Sequence, residues 1–201
     1  MDAGRWNHNI HYHPVILNAV PDGAARVLDV GCGEGMLTRQ LGAYAQSVKG
    51  IDLDAPSIDL ARKNTSVTNV DYVLGDFLTH DFELASFDAV ASVATLHHVD
   101  LVQGLTRMAA LLRPGGVLAV VGIARSRPVV DLPFDVAGAI ATRLYQLRKP
   151  LWNHTAPICW PPPETFAGVK RIAQHVLPGA GFRRHMLWRY SLVWTKPSVG
   201  F

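Results

Sequence analysis

Cysteine is scarce. The 201 residues hold two, Cys32 and Cys159, too far apart for a disulfide framework or a zinc cluster. A reducing compartment, and hence a cytoplasmic location, is the expectation. Long apolar runs are lacking too. The longest uncharged one, Val117 to Ala124, falls far short of the ~20 residues that span a bilayer as a helix. The N-terminus, Met-Asp-Ala-Gly-Arg-Trp, has neither the basic nor the apolar region of a signal peptide. There is no internal repeat and no low-complexity tract. A chain 49% hydrophobic and 17% charged is not disordered, collagenous or coiled-coil, and its length suits one domain with an elaboration.

Acids run out after the first two thirds. Residues 1–124 carry 13 acids and 8 bases, whereas residues 125–201 carry 3 acids (Asp131, Asp135 and Glu164) and 11 bases. The formal charge of +3 thus divides into an acidic front and a basic back. The bases are either scattered solvated positions or a surface for an anionic group.

The front alternates short apolar runs with helical spacing. Strands are predicted at Arg26–Val30, Ser47–Ile51, Val70–Leu74, Phe87–Val93 and Val117–Ile123, and helices at Gly35–Ala45, Ala55–Lys63 and Asp100–Leu112, the last stopped by Arg113-Pro-Gly-Gly116. Continuous apolar strands alternating with helices indicate an α/β fold, an open and mostly parallel sheet with helices on both faces. Ligands in such sheets bind beyond the carboxyl ends of the strands. After Ala124 the pattern breaks: residues 128–163 hold seven of the thirteen prolines, with an apolar stretch, Val136 to Leu147, that suits a helix. We read residues 125–163 as a cap insertion. A helix from Glu164 to Leu177 and strands at Gly181–Met186 and Tyr190–Thr195 close the chain.

Three strand ends carry candidate chemistry. In Val27-Leu-Asp-Val-Gly-Cys-Gly-Glu-Gly35 a strand enters a turn where Gly31 and Gly33 let a ligand lie against backbone. The spacing is Gly-x-Gly-x-Gly, not the dinucleotide fingerprint, and Asp29 would repel a pyrophosphate. In Lys49-Gly-Ile-Asp-Leu-Asp54, Asp52 ends a strand and can accept two ribose hydroxyls, while Asp54 precedes a helix as its cap. Gly75-Asp-Phe77 ends the third strand with an acid and an aromatic, either a purine contact or an ordinary turn.

Together these residues resemble the class I S-adenosylmethionine-dependent methyltransferases. The likeness runs through Leu28-Asp-Val-Gly-Cys-Gly-Glu-Gly35, Asp52, Asp76, Phe87–Val99 and Leu112-Arg-Pro-Gly-Gly-Val-Leu118, covering roughly residues 24–124. It implies a Rossmann-like seven-stranded sheet with an antiparallel last strand, and S-adenosylmethionine as cofactor. It also implies a cofactor site of Asp29, Gly31, Cys32, Gly33, Asp52, Leu53, Asp76, Phe77 and Ala94, with Asp29 near the amino group. Cys32 reads as packing in a tight turn rather than as a nucleophile.

The acceptor side is sketched more thinly. His97 and His98 follow the fourth strand where the methyl group would be presented, and are either a general base or structural. No metal site is expected, because that segment lacks further ligands. The run Trp6-Asn-His-Asn-Ile-His-Tyr-His13 precedes the first strand, and the resemblance implies residues 1–23 as a lid with Tyr12 and His13 as substrate-side candidates; a flexible terminus or a metal-binding run are the alternatives. Trp152 and Trp160 either line an apolar substrate pocket or form the cap's own core. The expected substrate is a small, partly apolar molecule. An anionic group on it would meet the basic back half, with Arg125, Arg127, Arg183 and Arg184 as candidates. RNA and a non-catalytic partner role are the alternatives; no nucleic-acid module is evident, and oligomeric state is unreadable.

Overall fold

The computed structural model describes residues 5–147, 151–152 and 160–198. Its strands are β1 (Ala24–Val30), β2 (Ala45–Asp52), β3 (Val70–Leu74), β4 (Phe87–Val93), β5 (Leu112–Ile123), β6 (Gly181–Arg184) and β7 (Arg189–Thr195). They form one sheet in the order β3-β2-β1-β4-β5-β7-β6. The first five pair in parallel, and β7 is antiparallel to both β5 and β6. The expected seven-stranded, Rossmann-like sheet with an antiparallel last strand is the one observed.

Two-residue periodicity divides the core. Leu28, Val90, Leu118 and Val120 point to one face, where α4 (Leu101–Leu111) and α6 (Phe166–Val176) supply Leu105, Met108, Phe166 and Val169. Val27, Ala89, Ala91, Ala119 and Val121 point to the other, covered by Ile16 of α1 (His13–Leu17) and Leu37 and Leu41 of α2 (Met36–Leu41). Strands covered on both faces need apolar residues at every position, which is why they read as continuous runs. Helix starts follow local capping. Asp54 accepts the Ser57 N–H at 3.1 Å to open α3 (Ala55–Lys63), Asp100 accepts that of Gln103 at 2.8 Å for α4, and Thr165 that of Gly168 at 3.1 Å for α6.

Three boundaries differ from expectation. The first helix is shorter than Gly35–Ala45 because β2 claims Ala45, which pairs with Ala24. Arg113-Pro-Gly-Gly116 does not lie outside the fifth strand. It is a bulge within β5, since Phe87 faces Leu112 but Ala89 faces Val117. Backbone bonds between Gly115 and Gly116 and Lys196, at 2.9 and 2.8 Å, hold that bulge against the chain after β7. The helix expected at Val136–Leu147 is α5 (Leu132–Gln146), begun earlier with Pro133 in its first turn. It buries only Gly138, which abuts the Trp188 ring, and leaves Val136, Ile140 and Leu144 exposed. Among the described residues no helix is long and apolar enough to cross a membrane.

Close approach governs one ladder position. Gly122 faces Tyr190 across β5 and β7, and a Cβ there would fall 2.2 Å from the buried phenol ring. Overpacking of this kind costs roughly 1–3 kcal/mol, so Gly122→Ala is expected to lower the thermal midpoint by roughly 3–10 °C. Differential scanning calorimetry checks this, and an unchanged midpoint would contradict the packing described.

Candidate functional site

At the carboxyl edge of the sheet lies a cavity of about 650 Å³. It opens where chain order reverses, between β1 and β4, the crevice position of open α/β sheets. Its size is ordinary for a small-molecule site.

The glycine turn forms one wall. Gly31 and Gly33 both have positive φ, +72° and +50°. A Cβ on Gly31 would collide with the Thr95 side chain at 1.9 Å, whereas one on Gly33 would meet nothing within 4 Å. Gly31 is thus required by packing, and Gly33 leaves bare backbone toward open space. The Gly31 and Cys32 N–H groups donate to the Ile51 carbonyl at 2.9 and 3.1 Å. Asp52 fastens the turn from the next strand, accepting the Gly33 N–H at 2.8 Å and the Asp54 N–H at 2.9 Å. A carboxylate has about four lone-pair sites, so two bonds leave capacity for a pair of ligand hydroxyls.

Asp29 sits beneath the turn, fully buried, and accepts a hydrogen bond from the Thr38 hydroxyl at 2.7 Å. Burial raises its pKa from the usual carboxylate value to about 7; the Thr38 bond opposes that, and the Asp52 charge adds to it. Cys32 is buried and its thiol pKa is pushed well up, mainly by burial and then by Asp29 and Asp52. It therefore stays a neutral thiol, which suits packing and not nucleophilic attack. Asp76 lines the cavity while accepting the Leu78 N–H at 2.9 Å. Phe77 lines it from within the main core, and Leu53, 69% exposed, offers the apolar surface beside Asp52. Ala94 lines it with a positive φ of 55°, a conformation costly for a residue with a Cβ. Every expected cofactor residue therefore meets at one cavity, and the bare backbone, buried carboxylate and free carboxylate lone pairs fit a cationic nucleoside ligand.

The opposite wall mixes four segments. His97 and His98 follow β4 with ring centroids 4.1 Å apart. His97 Nδ1 is buried without a hydrogen-bond partner. Burial, then the charges of His98 and Arg189, lowers the His97 pKa to about 4, so it is neutral near pH 7 and a weak proton acceptor there. His13 lines the cavity and bonds to Gln40 at 2.8 Å. Tyr12 does not line it. That ring is buried, and its hydroxyl donates to the Met186 carbonyl at 2.7 Å, because the 3-10 turn at Ile10–Tyr12 rotates it toward β6. Trp152 and Trp160 both line the cavity. Trp152 is tied to the N-terminal segment, where its N–H donates to the Trp6 carbonyl at 2.8 Å and Arg5 lies over its ring. Cys159 lies outside the described residues. Among the described residues, no three His, Cys, Asp or Glu side chains are placed to hold a metal.

Two cavity residues escaped the sequence reading. Trp188 and Arg189 end the turn between β6 and β7, in which Leu187 and Trp188 take left-handed φ values of 57° and 56°. Left-handed backbone favours Gly or Asn, so bulky residues here store strain. The Trp188 indole donates to Asp135 of α5 at 3.0 Å. Arg189 is 8% exposed and among the described residues bonds only to neutral groups: Asn9 Oδ1 at 3.0 and 2.6 Å, and the Leu187 and Trp188 carbonyls at 3.1 and 3.4 Å. The strand was expected to start at Tyr190, which left Arg189 outside it. An arginine heading an apolar run was the available signal. None of Arg125, Arg127, Arg183 and Arg184 lines the cavity. Arg184 is engaged with Asp131 between the Phe134 and Phe166 rings.

Known proteins resemble this chain in sequence and fold. Residues 28–120 match a family described as a methyltransferase domain. An uncharacterized methyltransferase of Mycobacterium tuberculosis H37Rv is 37% identical over 196 residues, covering 96% of this chain and 98% of the relative. A ubiquinone biosynthesis O-methyltransferase of Methylocella silvestris is 34% identical over 117 residues, 57% of this chain and 45% of that one. The solved structure of a Haemonchus contortus phosphoethanolamine N-methyltransferase, complexed with phosphomonomethylethanolamine and S-adenosylhomocysteine, superposes with a TM-score of 0.66 at 17% identity, covering 96% and 53%.

Asp29 links pH to both stability and binding. Its folded pKa lies above its unfolded one, so the folded state holds the extra proton between about 4 and 7. That stabilising contribution is present at low pH and is lost as pH rises through about 7. A cationic ligand prefers the carboxylate, so its affinity rises over the same interval. Asp29→Asn is expected to flatten the stability loss up to pH 8 and to weaken S-adenosylhomocysteine binding at pH 8 by roughly 10- to 100-fold. Thermal unfolding and calorimetric titration across pH 5.5–8.5 measure both effects.

Proposed function

The chain belongs to the S-adenosylmethionine-dependent methyltransferases, and on that premise we propose that it methylates a small, partly apolar acceptor bound beside the cofactor. The observation that carries this reading is the lining of the cavity at this sheet edge: five carboxylates from the first three strand ends, together with Trp152, Trp160, Trp188 and His97. A space of about 650 Å³ suits a cofactor with a modest acceptor.

The parts divide as follows. Backbone at Gly31 and Gly33 carries the cofactor's amino-acid portion, with Asp29 opposite its ammonium. Asp52 receives the ribose hydroxyls. Leu53, Asp76 and Phe77 hold the adenine, Asp76 through its free oxygen. When bound, S-adenosylmethionine supplies a sulfonium methyl carbon open to in-line attack. The chain's contribution to rate is alignment and exclusion of water. Ala94 sets the distance between the cofactor wall and the acceptor. His97, neutral and with an unpartnered Nδ1, receives a hydrogen bond from the acceptor. His98, exposed at the rim, has a lesser part. Residues 5–13 act as a lid, tied on one side to Glu34 through Arg5 at 3.3 Å and on the other to Leu151 and Trp152 of the cap. In this reading the domain is one unit: core 24–124, cap 125–163, and closing helix and strand pair 164–201.

A screen with radiolabelled S-adenosylmethionine over phenols, amines, carboxylates and RNA tests the reading. Label is expected in a small acceptor. Transfer to RNA alone, or no binding of S-adenosylhomocysteine by calorimetry, would overturn it. Once an acceptor is found, Trp160→Ala is expected to raise its KM about tenfold, a loss of about 1.4 kcal/mol, without moving the thermal midpoint, because Trp160 is 69% exposed.

A further inference from the structure

The cavity is electrically polar. Its lining carboxylates, Asp29, Glu34, Asp52, Asp54 and Asp76, all lie at or just beyond the ends of β1, β2 and β3. The far end, beyond β4, β5 and β7, has none among the described lining residues and holds one cation, Arg189. Arg189 pairs with Ile123 at the carboxyl end of β5. With neighbouring strands about 4.8 Å apart, it stands roughly 14 Å from β1 along the sheet. Cofactor contacts belong to the β1 side, so Arg189 faces the acceptor.

Its condition is unusual. A guanidinium is almost never buried without an anion, because lost hydration is not repaid by neutral dipoles. Arg189 is buried, and no carboxylate lies within ion-pair distance of it among the described residues. Burial lowers its pKa to about 10, which leaves it cationic at neutral pH. The Asn9 amide oxygen accepts both Nε–H and Nη2–H, a neutral group in the place where a carboxylate would normally make the two-pronged pair. The fold supports this placement from three directions. Asn7 Oδ1 accepts the Asn9 and Ile10 N–H groups at 2.9 and 2.8 Å and fixes the segment carrying Asn9. The strained Leu187-Trp188 turn aims the arginine. The carbonyls of that turn hold Nη1.

We propose that Arg189, with Asn9 as its neutral stand-in, is the recognition site for an anionic group, carboxylate or phosphate, on the methyl acceptor. The inference rests on the methyltransferase reading above. An acceptor oxyanion completes the charge pair that the chain itself leaves open. The surrounding Trp188 and Trp160 cover the apolar body of the same molecule. Among the described bases of the back half, Arg189 is thereby the one that meets substrate.

The test uses the full chain loaded with S-adenosylhomocysteine and three probes of one shape: phenylacetate, phenyl phosphate and the neutral phenylacetamide. Calorimetric titration of the wild type is expected to show at least one anion binding about tenfold or more tighter than the amide. The two anions tell carboxylate from phosphate. Arg189→Gln removes the preference. Asn9→Asp puts a carboxylate of the chain on the guanidinium; it is expected to abolish anion binding while raising the thermal midpoint, a result that a misfolded variant cannot produce. Equal affinity for all three probes, binding of none, or an anion preference that survives in Asn9→Asp overturns the proposal. Failure of S-adenosylhomocysteine itself to bind the wild type would sink the methyltransferase reading and this one with it, whereas cofactor binding without anion preference sinks this one alone.

Discussion

The sheet order sets everything else in this molecule. Between β1 and β4 the chain reverses its direction of travel across the sheet, so the connections from those two strands leave on opposite faces and a crevice opens at their carboxyl ends. Every parallel strand delivers its last residues to that one edge. Asp29 and Gly31 arrive from β1, Asp52 from β2, Asp76 just past β3, and Ala94 with His97 past β4. Because β7 runs antiparallel to β5, its first residue and not its last reaches the edge, and that residue is Arg189. The site is assembled from short local pieces that only this pairing brings together.

The glycine turn and Asp52 show how stability and ligand binding share the same atoms. The Asp52 carboxylate holds Gly33 and Asp54 and, with those two bonds made, still has lone pairs to offer. Asp29 is the converse case. Its burial works against its charge, and among the described residues it has the Thr38 hydroxyl rather than a cation against it. Arg189 repeats that condition at the other end with the opposite sign. Both ends of the cavity thus hold a charge that the fold does not itself neutralise, and marginal stability accepts a few such costs where function requires them.

The strand–helix alternation, the caps at Asp54, Asp100 and Thr165, and the glycine turn were legible in the sequence because each rests on neighbours within a few residues. The boundaries that shifted were those decided by a partner strand, such as Ala45 against Ala24 and the bulge at Arg113–Gly116 against Phe87 and Lys196. Trp152 and Trp160 were legible as aromatics of an irregular segment, but their place on the cavity wall was not. Tyr12 read as facing the cavity from its position in a histidine-rich run; a single 3-10 turn instead buries it toward Met186.

The carboxylate-rich end of the cavity was legible from the sequence. Glycines at alternate positions after an apolar strand, and acids at the ends of the next two, carry their meaning in backbone conformation and in spacing along the chain. The wall that carries Trp188 and Arg189 came from tertiary structure alone. Asn9 and Arg189 stand 180 positions apart. Trp188 is positioned by α5, and the whole wall depends on β7 inserting antiparallel between β5 and β6. No local pattern encodes which buried arginine lacks an anion. That follows only when the packing shows which charges have been paired and which one has not.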